Sequence, residues 1–154
     1  MALREATTHD LPTLVAILKA GFEEYRGRLD PPSGAHEETV EKLRPVLLQS
    51  HAVLAEIGAA AAGCVFYAHE DQSLGLFRLA VLPAYRRRGV GSALIAYVED
   101  LARQKGIPQV RLGVRVALPG NLRYYQRLGY RVYGERHQEG FAEAIDLLLE
   151  KDIL

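Results

Sequence analysis

The sequence predicts an α/β fold, a central mixed and largely antiparallel sheet flanked by helices, in one domain over residues 1–154. Three observations lead there. Short apolar runs bounded by glycine and proline alternate with stretches whose apolar residues recur every three or four positions, so strands and helices interleave. Ala52–Ile57 and Ala60–His69 face each other across a turn near Gly58, a hairpin, whereas Leu74–Leu82 is separated from the next strand by a long helical stretch, a βαβ crossover. Finally, 154 residues with 49% hydrophobic and 25% charged content suit a single core and leave no room for two.

Each element has its own signal. Leu3–Ala6 is a short strand, and Thr8 or Asp10 can cap the helix that follows, with Pro12 in its first turn where a missing N–H costs little. Leu11, Leu14, Val15, Leu18, Phe22 and Tyr25 form its apolar stripe, and Pro31-Pro32-Ser33-Gly34 stops it. Glu37–Gln49 reads as a second helix, which Pro45 should kink or shorten. The hairpin comes next, then Leu74–Leu82, apolar at nearly every position except Arg78, as suits a strand covered on both faces. Val90, Leu94, Ile95, Val98 and Leu101 mark a strong helix stopped by Gly106 and Pro108. Val110, Leu112 and Val114 alternate with Arg111, Gly113 and Arg115 along a strand, Asn121–Leu128 is a short helix closed by Gly129, and Arg131–Arg136 and Ala144–Lys151 are the last strands. No repeat, low-complexity segment or linker interrupts this order.

Composition narrows the function classes. Nineteen basic residues balance nineteen acidic ones, which argues against a general nucleic-acid binder. The single Cys64 can form neither an internal disulfide nor a thiolate-only zinc site, as expected in a reducing compartment. Amid Ala, Val and Phe it reads as a small buried hydrophobe, so no acyl-cysteine route is expected. His9, His36, His51, His69 and His137 are scattered without ligand spacing, so no metal is expected. The polar start MALREATTHD is not expected to be a signal peptide, and no apolar run reaches the ~18 residues of a membrane helix. A cytoplasmic protein without a membrane partner is the expectation. Charge is uneven along the chain. Residues 1–77 hold 6 basic and 11 acidic residues, a net of −5, while residues 78–154 hold 13 and 8, a net of +5.

The stretch Val81-Leu82-Pro83-Ala84-Tyr85-Arg86-Arg87-Arg88-Gly89-Val90-Gly91-Ser92 is the most informative. A strand ends, a basic turn with glycines follows, and a helix opens at once. Such a turn aims successive backbone N–H groups and a helix dipole at an anion, and the arginines add a positive field. These parts suit a pyrophosphate. The spacing is neither the dinucleotide-binding pattern, since Leu94 holds the third glycine position, nor a P-loop, since no Gly-Lys-Ser/Thr follows. It does match [R/Q]-x-x-G-x-[G/A] after a strand ending in V-x-P, and thereby resembles the coenzyme A loop of the GNAT superfamily of N-acetyltransferases. A second segment, Asn121-Leu122-Arg123-Tyr124-Tyr125-Gln126-Arg127-Leu128-Gly129-Tyr130, is similar to the later N…YxxLGF/Y helix of that family. The element order fits as well, so the resemblance covers essentially the whole chain.

The resemblance implies an acetyl-CoA-dependent N-acetyltransferase without a metal. It implies that the N–H groups of Arg87, Arg88, Gly89, Val90, Gly91 and Ser92 cradle the cofactor pyrophosphate, with Arg86 opening the motif. It further implies that the strand backbone at Leu79, Ala80 and Val81 pairs with the pantetheine arm, and that the Leu79 N–H polarises the acetyl carbonyl. Asn121 would touch the cofactor, and Tyr125 would protonate the departing thiolate. Two positions depart from the pattern. Leu118 stands seven residues before Tyr125, where many members carry the asparagine, and Arg78 stands where many carry an acidic base. The base is therefore open between a carboxylate such as Glu56 and a water chain. The acceptor is expected to be a small-molecule or peptide amine. The carboxylates of the first two helices, Glu23, Glu24, Asp30, Glu37 and Glu38, are read as solvated faces that favour a cationic amine. A homodimer is compatible with the family. A non-catalytic acyl-CoA-binding module on the same fold is the alternative.

Overall fold

Thr7 and Asp10 together open the helical part of the chain. In the computed structural model, which describes residues 1–154, the Thr7 N–H donates to Asp10 Oδ2 at 2.8 Å, and Thr7 Oγ1 accepts from the His9 N–H at 3.3 Å. A reciprocal cap of this kind satisfies donors that a helix start leaves without acceptors. Thr7 thus caps a 3₁₀ turn over Thr8–Asp10, and Asp10, one of the two expected residues, holds the N-cap position of the helix that follows without a side-chain cap bond of its own there. Leu11–Phe22 (α1) follows, with Pro12 in its first turn. The second helix is shorter than its pattern suggested. Gly34–Glu37 forms a separate 3₁₀ turn, and extended Thr39 then caps Val40–Leu48 (α2) by accepting from the Lys42 N–H at 3.1 Å. Pro45 sits inside α2 without ending it.

Seven strands, Ala2–Glu5 (β1), His51–Ile57 (β2), Ala60–Glu70 (β3), Ser73–Val81 (β4), Gln109–Arg115 (β5), Arg131–Arg136 (β6) and Asp146–Asp152 (β7), form one mixed sheet in the order β1-β2-β3-β4-β5-β7-β6. The remaining helices are Val90–Lys105 (α3) and Pro119–Arg127 (α4). The β4–β5 pair is parallel, as the crossover predicts, and β1–β2, β2–β3, β5–β7 and β6–β7 are antiparallel. Ends differ from the expected ones by one or two residues. Pro119, at the first helical position, starts α4 two residues before Asn121.

Residues 1–68 and 76–98 form one compact unit, residues 69–75 and 99–154 another. In the first, Leu11, Leu14, Ile17 and Leu18 of α1, with Leu43 and Leu47 of α2, bury against Ala52, Leu54, Cys64, Phe66 and Ala80 of the strands. Two glycines set how closely helices approach the end of β4. A Cβ on Gly63 would stand 2.8 Å from the Ala80 carbonyl oxygen and 3.1 Å from Val90 Cγ1, so only glycine lets the start of α3 sit there. A Cβ on Gly21 would stand 3.0 Å from Ala80 Cβ, which brings the last turn of α1 to the same strand.

In the second unit, β7 runs between β5 and β6, in register with β5 from Gln109 opposite Asp152 to Arg115 opposite Asp146. α4 ends in a Schellman motif: the Tyr130 N–H donates to the Tyr125 carbonyl and the Gly129 N–H to that of Gln126, each at 3.0 Å, with Gly129 left-handed at φ 98°. The motif brings the rings of Tyr125 and Tyr130 edge to face, with centroids 5.7 Å apart.

Candidate active site

The first unit holds the basic turn. Pro83–Tyr85 makes a 3₁₀ turn after β4, and Arg87 (φ 63°) and Gly89 (φ 77°) both adopt the left-handed conformation before α3 begins. The first bond of that helix runs from the Ala93 N–H to the Gly89 carbonyl at 3.0 Å, so the N–H groups of Val90 and Gly91 have no acceptor within it. Left-handed residues interspersed in a turn converge successive N–H groups, and the helix dipole adds to them. Gly89 has nothing within 4 Å of a Cβ position. Its left-handed φ favours glycine, and the open space beside it is free of the protein's own atoms.

The three arginines differ. Arg86 is a strut: its guanidinium donates to the Gly21 carbonyl at 2.8 Å and to the Val81 carbonyl at 3.4 Å, and it pairs with Glu24. It fastens the turn to the end of α1. Arg88 lies over the Tyr85 ring, 5.5 Å from its centroid. Arg87 and Arg88 are exposed. A positive field at the turn thus comes from these two and from backbone.

Just past the end of β4, the Leu82 N–H donates to the Ala62 carbonyl at 2.9 Å. Strand alternation then turns the N–H groups of Val81 and Leu79 to the other edge. The β4–β5 ladder runs from Ser73–Gln109 to Gly75–Arg111, so Leu79 and Val81 lie beyond its paired residues. Arg78, just before Leu79, is in the left-handed region at φ 49°, a conformation that non-glycine residues adopt under local constraint. The buried Cys64 thiol donates to the Arg78 carbonyl at 3.8 Å, and burial pushes its pKa up to about 12. It stays a thiol at neutral pH.

In the second unit, Tyr125 is buried in α4 and Asn121 is exposed in its first turn. Burial, and then the neighbouring Tyr124, hold the Tyr125 hydroxyl above the usual tyrosine range, so it carries its proton at neutral pH. Tyr130, packed against it, donates to Glu99 Oε2 at 2.8 Å, and Lys151 Nζ lies 3.1 Å from both Glu99 oxygens. A Cβ on Gly129 would meet Lys151 Cε at 3.4 Å. Lys151, Glu99 and Tyr130 therefore lock one side of the Tyr125 ring.

Glu56, a candidate base, accepts from Arg4 Nε at 2.8 Å at the β1–β2 pairing. Of the carboxylates near the first helices, Glu23, Glu24, Asp30 and Glu37 are exposed, as expected, with Glu23 paired to Arg26 and Glu24 to Arg86, whereas Glu38 is buried beside Arg78. Glu38 is 5% exposed and lies 3.5 Å from Arg78 Nε. Sequence reasoning missed this pair, whose members are 40 positions apart. No group of three or more His, Cys, Asp or Glu side chains is placed to hold a metal, and no helix is long and apolar enough to cross a membrane.

The fourth strand of the mixed sheet thus runs through a left-handed basic turn into a helix. The sequence profile of the Acetyltransferase (GNAT) family matches residues 13–130, and the chain belongs to that family. It is 29% identical over 135 residues to an aminoalkylphosphonate N-acetyltransferase of Salmonella typhimurium, covering 84% of each chain. It is 26% identical over 83 residues, or 46% of this chain, to an uncharacterized protein of Bacillus subtilis, and spans about half of that relative, 54%. Its fold resembles the PaiA N-acetyltransferase of Thermoplasma acidophilum, solved with coenzyme A, at a TM-score of 0.79 and 21% identity over 99% of both chains.

Proposed function

We propose that residues 1–154 act as one catalytic domain that transfers an acetyl group from acetyl-CoA to a primary amine by direct attack within a ternary complex. The observation that carries this is the turn at residues 86–92. Two left-handed residues and the first turn of α3, whose opening N–H groups precede its first internal bond, offer donors to a pyrophosphate, and Arg86 holds the turn against α1. Family membership and the coenzyme A bound by the Thermoplasma neighbour support the same reading.

In this reading acetyl-CoA supplies an acetyl thioester, whose phosphates are cradled by the N–H groups of Arg87, Arg88, Gly89, Val90, Gly91 and Ser92. Leu79, Ala80 and Val81 offer strand edge to the pantetheine arm, and Asn121 touches the cofactor. The Leu79 N–H donates to the acetyl carbonyl oxygen, where negative charge develops as the amine nitrogen bonds to carbon. The carbon–sulfur bond breaks, and Tyr125 gives its proton to sulfur. With Glu56 engaged by Arg4, the proton lost from the amine passes to water. The Salmonella relative's name supports a small amine as acceptor, and a cytoplasmic enzyme is the matching setting.

Calorimetry with CoA in EDTA, paired with thiol release over an amine panel, tests this. Saturable 1:1 binding and turnover with at least one amine are expected. Absence of binding at millimolar CoA refutes the reading, and binding without turnover favours the acyl-CoA-binding module.

A further inference from the structure

We propose that Arg78 anchors the acceptor by its acidic group: the substrate is a small amine that carries its own carboxylate or phosphonate. This rests on the reading above, in which acetyl transfer occurs at the Leu79 N–H, the residue next in the chain.

Four observations converge on Arg78. It is the one charged residue of a strand whose neighbours Leu76 and Ala80 are buried, yet its own side chain is 37% exposed. Its backbone is held at φ 49°, so the fold sustains a costly conformation where a residue with freer φ would lie easily. Its guanidinium is oriented from two sides, with the Phe77 ring 5.6 Å away and Glu38 3.5 Å from Nε. Glu38 is met at Nε, and the terminal fork is the part of arginine that matches a carboxylate or phosphonate with two parallel hydrogen bonds. Finally, His36, two residues before Glu38, buries both ring nitrogens without a hydrogen-bond partner, so this segment holds polar capacity that the chain itself does not use.

Charge arithmetic favours an anion over a second cation. Glu38 is buried and needs a counter-charge, which Arg78 supplies from one edge. A bare ammonium would compete with Arg78 for Glu38 and leave the guanidinium facing it. An acidic group instead completes the array carboxylate–guanidinium–anion, in which the central cation is shared by two acceptors.

The test uses the full chain, saturating acetyl-CoA and thiol release with 2-aminoethylphosphonate, β-alanine, ethanolamine and ethylamine, which share the two-carbon spacing. At least one of the two acceptors that carry an acidic group is expected to exceed the two that carry none in kcat/KM by about tenfold or more. Unequal use of phosphonate and carboxylate then tells which acidic group fits. Methylphosphonate and acetate, which lack an amine, provide a second measurement, and at least one should compete with the acceptor and not with acetyl-CoA. Arg78→Gln should erase the preference, mainly through KM, and Arg78→Lys should retain part of it because charge remains while the fork is lost. The competition needs no variant, so a misfolded Arg78→Gln leaves the inference decidable. Use of neither 2-aminoethylphosphonate nor β-alanine above ethanolamine, or failure of both free anions to compete, overturns this inference and leaves acetyl transfer standing. Turnover of no amine in the panel overturns both.

Discussion

Replacing Gly89 by alanine separates conformational need from steric need in the turn. At φ 77° an L-residue costs roughly 1–2 kcal/mol, and with nothing within 4 Å of the added methyl there is no packing penalty to add. That cost must appear in one of two places. If the turn keeps its shape, the folded state is less stable by ~1–2 kcal/mol, a Tm drop of ~2–8 °C, and CoA affinity is unchanged. If the turn relaxes to a comfortable φ, Tm is preserved and CoA affinity falls ~5–30-fold, because the N–H groups must be realigned on binding. The sum of the two losses, from thermal unfolding and calorimetry on the same variant, should be ~1–2 kcal/mol. Gly58→Ala, also left-handed and open at φ 62° but in the β2–β3 turn, should lose stability alone. A Gly89→Ala protein with both quantities intact would refute the argument that φ is the reason for glycine here. A loss well above ~3 kcal/mol would mean that the methyl collides with bound cofactor.

Gly91→Glu adds bulk and a like charge at the first turn of α3 and should cut CoA affinity by at least ~100-fold, ~2.7 kcal/mol, in the same calorimetric titration; normal binding places the phosphates elsewhere. Tyr125→Phe keeps the buried ring and removes the proton, so kcat should fall at least tenfold, within the ~10²–10⁴ range for general acids, with little change in CoA binding, while Tyr124→Phe stays near wild type. A swap of the two phenotypes would assign the proton to Tyr124. Arg4, through its hydrogen bonds, lowers Asp10 from 3.8 to about 2. Asp10 binds protons more weakly folded than unfolded, so its contribution is full above pH ~4 and lost as pH falls toward 2, amounting to ~1 kcal/mol after allowance for the exposed arginine. Arg4→Met should abolish that acid-range slope in urea unfolding, and an unchanged slope would remove Asp10 from the account.

What the sequence made legible is what short-range geometry dictates. The turn at Arg86–Ser92 could be read because strand end, glycine and helix start are consecutive. The spacing Tyr125-x-x-Leu128-Gly129-Tyr130 could be read for a reason that the structure supplies. It is the register of a Schellman cap, in which Gly129 takes the left-handed position and the residues that the cap brings together are the two aromatics. A functional tyrosine placed there inherits its orientation from a helix ending, with Lys151 and Glu99 completing the clamp. The placement of β7 between β5 and β6 was not legible, since strand order depends on pairings between segments distant in sequence.

The charge split shows the same limit from the other side. Counted along the chain, −5 and +5 suggested an acidic surface for a cationic acceptor. Folding pairs many of those charges locally and across long separations: Arg4 reaches Glu56, Arg86 reaches Glu24 and Arg78 reaches Glu38. An ion pair cancels in the far field, so the sign of a segment says little about the sign at a site once its carboxylates have partners. What survives is the residue whose charge is only half used. Arg78 is such a residue, held from one edge by a buried carboxylate and partly open to solvent. Its location was visible in the sequence as a missing acid, and its chemistry became readable only when Glu38 arrived beside it. The acceptor preference should therefore follow the sign of that one guanidinium rather than the sum over the surrounding chain.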